Sequence, residues 1–523
     1  MICQKTNSVL TAFVLTASLC AGCAGNLRPG DDGRSTGRGQ SIGADGQATA
    51  DSTAPTSNGE LGPLPPAAGD SAKLGKDART LAPDTGKPKP PPVPGHEAGP
   101  PPIVVDQGVP PPPTSTAICG GAAPGNQTWV TGTTYYPVQE IPRPGKCATV
   151  ADPVFHTTIA RVSDKATDGY SDASMENEYA KMDPENSAGT LLVLRGESGT
   201  YHLYDLPTFK RLAKLNMPTG NQEPEPRWDA VNPKLLYHLS NMKLMALNTD
   251  TNTSSVVHDF SADVAGGATI STGVEGDASV DRRYWCFMVQ SSGGSVTAIV
   301  SYDRIANAVV GKLTSFADSV NWLGTSMSGA HCVIGWNSKP VTAYPLDFSK
   351  AVSMPTGANG HADLALTAAG KDVLAYQNNA TDWIAIADLD TGAETNLVPI
   401  PFSTNTDIGM HFSGNAAKTP GWVLVATYGS QNPPSGKSHS WMDTSLFLVE
   451  LKATPRVVRV ANTHAYISVS PSGSKNYFAE AYAAINTRGN RIYWGSNWGQ
   501  TDLTKIETFV AELPEQWPTL VPP

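Results

Sequence analysis

Two histidines stand at the same place in neighbouring stretches of this chain. His361 lies twelve residues before Val373, which opens the apolar run VLAY, and His411 lies twelve before Val423, which opens VLVATY. The same count gives Glu480 before Ile492, Glu223 before Leu235 and Asn321 before Val333. It gives Ala180 before Leu192, so the register is not uniform; around Tyr284 the nearest polar residues are Glu275 and Asp277. Asp363 follows His361 by two, and His464 stands in Thr463-His464-Ala465-Tyr466, ahead of the last run. Imidazoles and carboxylates brought to one point hold a divalent metal such as Mn²⁺, Ca²⁺ or Zn²⁺, or supply a general base. The plain alternative is a set of polar side chains lining a wet channel.

The elements that would position them repeat. From His361 to Ile400 the sequence reads HADLALTAAGKDVLAYQNNATDWIAIADLDTGAETNLVPI: four short strands joined by hairpins, one blade of a β-propeller. The second-strand run recurs as LLVL (Leu191), LLYHL (Leu235), YWCFMV (Tyr284), CVIGW (Cys332), VLAY (Val373), VLVATY (Val423) and IYWG (Ile492). The third-strand ending recurs as LYDLPT, ALNTDT, SYDRIA, YPLDFS, ADLDTG, LVELKA and VAELPE. Seven copies, mostly 41 to 50 residues apart, predict an all-β, seven-bladed propeller rather than a pair of β-sandwiches. The copy from Val423 is lengthened by GSQNPPSGKSH (Gly429 to His439). In a propeller the start of the innermost strand faces the central channel, so the register above forms a ring at its mouth. Thr158 to Val162 precedes the first copy and has no blade of its own; it is expected to pair with the last blade and close the ring.

Residues 1–23 read as a targeting segment, with Lys5 and an apolar run from Val9 to Leu19 too short for a permanent span. It ends Leu19-Cys20-Ala21-Gly22-Cys23, which resembles a bacterial lipobox, with Cys20 where Leu usually stands. Lipid on Cys23 would hold the protein on a membrane, and Ala24 resembles outer-membrane sorting; ordinary cleavage would leave a secreted or periplasmic protein. Residues 24–117 are Gly-, Ser- and Pro-rich, with 17 of the 43 prolines between Pro55 and Pro113, a composition expected to be a disordered tether. Residues 118–523 hold the propeller, expected as a monomer. Cys119 and Cys147 flank a loop-rich segment and are expected to form a disulfide; Cys286 and Cys332 either pair or remain buried thiols. The net charge of −10 and the absence of a Lys/Arg run in the propeller argue against nucleic acid.

Gly324-Thr325-Ser326-Met327 matches the nucleophile motif of subtilisin-like proteases, but the Asp and His-Gly motifs are missing, so it reads as a blade turn. No Walker loop, dinucleotide fingerprint or HExxH occurs. Trp228, Trp322, Trp441 and Trp498 fall at blade edges, as core or as platforms for sugars. Gly360-His361-Ala362-Asp363, Gly409-Met410-His411-Phe412-Ser413-Gly414, Pro420-Gly421-Trp422-Val423-Leu424-Val425 and Gly495-Ser496-Asn497-Trp498-Gly499 resemble a bacterial family of uncharacterised secreted propellers. That family resembles TolB-like propellers and, more remotely, oligogalacturonate lyase. The remoter resemblance implies a Mn²⁺ held mainly by His, with His361, His411 and His464 as ligands, β-elimination of uronate sugars, and Arg227 pairing with a substrate carboxylate. Two functions are therefore expected: a surface-anchored propeller that binds a carbohydrate or protein at its channel mouth, or a metal-dependent polysaccharide lyase or hydrolase at the same mouth.

Overall fold

The computed structural model describes residues 118–523, apart from 122–123, 126, 220–221, 317, 359, 407, 430–436, 468–476 and 501–504. Cys23, the targeting segment, the tether and most of the insertion after Gly429 lie outside the described residues.

Second strands such as Leu191–Gly196, His331–Trp336, Trp422–Tyr428 and Arg491–Ser496 are buried at every position, because each is covered on both faces by neighbouring sheets. Outer strands such as Arg211–Lys214 and Ala308–Leu313 alternate instead. That contrast fits blades stacked about an axis. The seven sheets form a seven-bladed β-propeller, with six four-stranded antiparallel blades and a seventh of five strands. The innermost strands are Met175–Glu176, Arg227–Trp228, Thr269–Ser271, Val320–Thr325, Ala362–Leu366, Gly409–Ser413 and Ala484–Ile485, in blades 1 to 7.

The recurring third-strand endings are hairpin turns held by a side-chain carboxylate or amide. Asp388 accepts from the backbone N–H groups of Asp390 and Thr391, and Gly392 follows with φ 72°. Asn248 and Asp303 make the same turns in blades 2 and 3.

Blade 7 closes the ring. Thr158–Arg161 pairs antiparallel with Glu507–Glu512, Ile159 opposite Ala511, and Thr149–Ala151 adds a fifth strand outside it. Between blades 6 and 7 the packed faces bring together Ile159, Trp422, Leu424, Val458, Trp494, Phe509 and Trp517. Further upstream the chain lies along the outer edge of blade 6, where Arg459 N–H donates to Val130 O and Gly132 N–H to Val457 O, both at 2.9 Å. A disulfide joins Cys119 and Cys147, Cα atoms 5.2 Å apart, while Cys147 N–H bonds Arg161 O of the closing strand. Cys286 and Cys332, on the second strands of blades 3 and 4, also meet as a disulfide, Cα atoms 5.8 Å apart.

Candidate functional site

The inner strand of blade 1 stops after Glu176. The chain then leaves the sheet and rejoins it at Glu185, which bridges Leu192. The excursion carries Glu178, Tyr179 and Lys181 among the inner ends of the other blades. Blade 7 behaves alike, with Tyr477, Glu480 and Tyr482 ahead of Ala484–Ile485.

These side chains meet the histidine pair. His361 and His411 lie edge to face with ring centroids 4.8 Å apart. Tyr179 Oη is 3.3 Å from His411 Nδ1, and Glu480 Oε2 is 3.3 Å from His411 Nε2. Tyr428 stacks on His411 at 5.0 Å, and Tyr482 meets its edge at 5.2 Å. Burial pushes the His411 imidazole down to about 3; burial and the neighbouring His411 push His361 down to about 4. Both are neutral at pH 7. Burial lifts the Tyr179 and Tyr482 hydroxyls well above their ordinary value. Glu275 bonds Lys181 at 2.9 Å. Burial alone would raise its carboxyl, but Lys181 and the two imidazoles outweigh this and leave it below its usual value. The Lys181 ammonium also sits 4.1 Å from the centre of the Trp322 ring.

Two residues beyond His361, Asp363 opens a second tier, a small cavity of about 30 Å³ also lined by Asp183, Glu275, Asp277, Arg282, Trp322 and Thr325. Asp363 accepts from Leu364 N–H at 2.8 Å and Gly414 N–H at 2.7 Å. Burial nevertheless lifts it to about 7. Asp183 accepts from Glu185 N–H and from both donors of Thr487. Burial, with Glu185 adding to it, raises its carboxyl. Asp277 pairs with Arg282 at 2.8 Å.

Other expected members lie elsewhere or are already engaged. Arg227 is buried, donates to Glu178 at 2.5 Å and to Gly276 O at 2.6 Å, and lies 3.4 Å from Asp277. Its guanidinium is therefore not open to a substrate carboxylate. Glu223 pairs with Arg195 at 2.6 Å, and Asn321 is exposed. His464 follows the outermost strand of blade 6, not the channel. It is 1% exposed, stacks on Trp498 at 4.3 Å, and burial pushes it down to about 4. It does not join the other two histidines because residues after an outermost strand sit at the rim. Trp228, Trp441 and Trp498 are buried as blade core, so their rings are not sugar platforms; Trp322 is buried too, but it lines the second-tier cavity.

The expected three-histidine metal set is therefore not assembled. Among the described residues no group of three or more His, Cys, Asp or Glu is placed to hold a metal ion. Both nitrogens of His411 already face Tyr179 and Glu480. The residues present do not fit a metal centre.

Counting along the chain missed Tyr179, Lys181, Glu178 and Asp183. The break in register at Ala180 was their one signal, since Ala180 sits in the middle of the excursion that carries them.

No protein-family model and no curated protein matches this sequence. Among solved structures, oligogalacturonate lyase in complex with manganese aligns with a TM-score of 0.50 at 13% identity, over 70% of this chain and 96% of that one. The oligogalacturonate lyase of Vibrio parahaemolyticus aligns at 0.49 and 10% identity, over 71% and 97%. A chain of the mitotic checkpoint complex aligns at 0.42 and 11%, over 74% and 99%. At these identities the likeness is one of fold.

Proposed function

We propose that this chain is a lipid-anchored surface protein whose propeller binds a carbohydrate or protein partner at its central channel. The observation that supports it is the second-tier cavity. It is a small cavity at the centre of the ring, with a wall mixing an indole, hydroxyls and carboxyls. Of its charged lining residues, four are acidic (Asp183, Glu275, Asp277, Asp363) and one is basic (Arg282). The anchoring part rests on Cys23 and the tether of residues 24–117. Two measurements test the reading. Full-length protein is screened against immobilised neutral, amino and uronate glycans and against cell-envelope extract, with Trp322→Ala as the channel variant. Binding lost in the variant supports the channel, while undiminished binding places the partner elsewhere. Cys23→Ser is expected to move the protein from the membrane fraction to the soluble one; retention in the membrane would remove the anchor.

A second reading is favoured by the first tier. A neutral, buried imidazole between a carboxylate and a phenol is equipped to move a proton. Together with the lyase-like fold it supports a uronate lyase or hydrolase at the same mouth. The engaged Arg227 and the acidic wall weigh against an anionic substrate. Oligogalacturonate incubated with the protein, with and without added Mn²⁺, would yield an unsaturated uronate if this reading holds. An unchanged oligomer under both conditions removes it.

A further inference from the structure

Lys181 stands in the channel and not in its wall. It belongs to the excursion of blade 1, whose backbone is fastened to blades 6 and 7 on either side of it. Asn177 Nδ2 donates to Tyr482 O at 2.7 Å, Asn415 Nδ2 lies 3.5 Å from Ala180 O, and Asp183 accepts from Thr487 N–H at 2.7 Å. From there the side chain crosses to blades 3 and 4. Its ammonium lies 2.9 Å from Glu275 Oε2, 4.1 Å from the centre of the Trp322 ring and 6.0 Å from that of Tyr179. The side chain is 5% exposed. A charge this buried needs partners, and a carboxylate with two ring faces provides them. Its field reaches both tiers. Burial raises Glu275 and Asp363, and Lys181 is the strongest influence opposing the rise in each. Burial chiefly keeps His361 and His411 neutral, and the Lys181 charge adds to it.

We infer that Lys181 is the resident cation of the channel: it supplies from the chain the positive charge that the expected divalent metal would have supplied, and the channel works without a metal. The residue types around the ammonium are those that hold Mn²⁺ or Zn²⁺, imidazoles and carboxylates. Yet among the described residues no three of them are placed to share an ion. A second cation brought beside the ammonium would be repelled, strongly so where little water screens the charges. The guanidinium groups nearby cannot take over the role, because Arg227 is bound to Glu178 and Arg282 to Asp277. A resident cation is common to both proposed functions, since each places its ligand at this channel.

The test is chemical replacement of the ammonium in the full-length protein. Lys181→Ala removes everything beyond Cβ, a fragment with the outline of propylammonium. Its melting temperature is expected to fall, and propylammonium chloride to restore most of the loss. Propanol, similar in length but uncharged, should be roughly tenfold less effective by concentration, the worth of one charge-assisted hydrogen bond. The wild type is the baseline for both additives. Lys181→Met keeps the stem and loses the charge; it should melt low and stay low with either additive. Metal content is measured on the wild type after incubation with Mn²⁺, beside His361→Ala/His411→Ala, and equal, substoichiometric Mn²⁺ is expected in the two. Mn²⁺ bound one-to-one by the wild type and lost in the double variant would overturn the inference. So would propylammonium rescuing Lys181→Ala no better than propanol, or a Lys181→Met protein as stable as the wild type. If Lys181→Ala does not fold alone, its refolding yield in propylammonium chloride against sodium chloride decides the same point. None of these readouts uses the channel's ligand, so a failure here leaves the binding reading in place, and a failure of that reading leaves the resident cation.

Discussion

Glu178 and Arg227 lie 2.5 Å apart with side-chain exposures of 1% and 2%. Burial lifts Glu178 to about 7, and Arg227 is the cation that opposes the rise. Arg227→Met would leave that carboxyl without its cation, and a loss of about 3 kcal/mol is expected, the usual cost of breaking a buried pair from one side. Urea unfolding of the variant measures it; a change below about 0.5 kcal/mol would mean that Glu178 finds another donor. Glu176 is the opposite case. Its Oε2 has no partner among the described residues, and burial raises it from 4.5 to about 8. A carboxyl raised on folding favours the native state fully below its unfolded value and loses that contribution as pH rises through the folded value. The window is therefore about pH 4.5 to 8. Glu176→Gln should flatten it and make the protein more stable at pH 8, by on the order of 2 kcal/mol, with little change at pH 5. Parallel melting curves for the two proteins at both pH values would contradict this.

At the scale of the element, the segment before the closing strand is fixed from two sides. Cys119 N–H bonds Pro207 O beside blade 1, and Cys147 N–H bonds Arg161 O in the closing strand. The disulfide between them spans 28 residues of sequence with little core of its own. Closing a loop of that length restricts the unfolded chain by about 3.5 kcal/mol. A Cys119→Ser/Cys147→Ser variant is expected to melt correspondingly lower under oxidising conditions, with Cys286 and Cys332 left in place as control. An unshifted melting temperature would mean that the strand pairing alone holds the segment.

At the scale of the whole molecule, closure of the ring decides whether a sheet edge is free. Glu507–Glu512 is interior only because Thr158–Arg161 covers it. A chain beginning at residue 118 should keep the melting temperature of the full protein. One beginning at residue 165 should expose that strand and aggregate in size-exclusion chromatography. If the shorter chain remains monomeric with an unchanged melting temperature, the closing strand is dispensable.

The sequence by itself determined the features that follow from local chemistry. An apolar run in the second strand and an Asp or Asn turn after the third are set within a few tens of residues, so their recurrence revealed seven blades and the shared register of His361 and His411, and the run left over at Thr158 to Val162 revealed the closing strand. The tertiary structure alone decided which side chains face one another across the channel. Arg227 read as a free cation until Glu178 arrived from another blade. His464 read as a third ligand until its place after an outermost strand put it against Trp498. Tyr179 and Lys181 were hidden in a break of the repeat. A period in sequence fixes where a residue lies along its own strand. Its partners depend on how seven separate strands converge, through contacts between residues far apart in sequence, such as Tyr179 and His411, 232 positions apart.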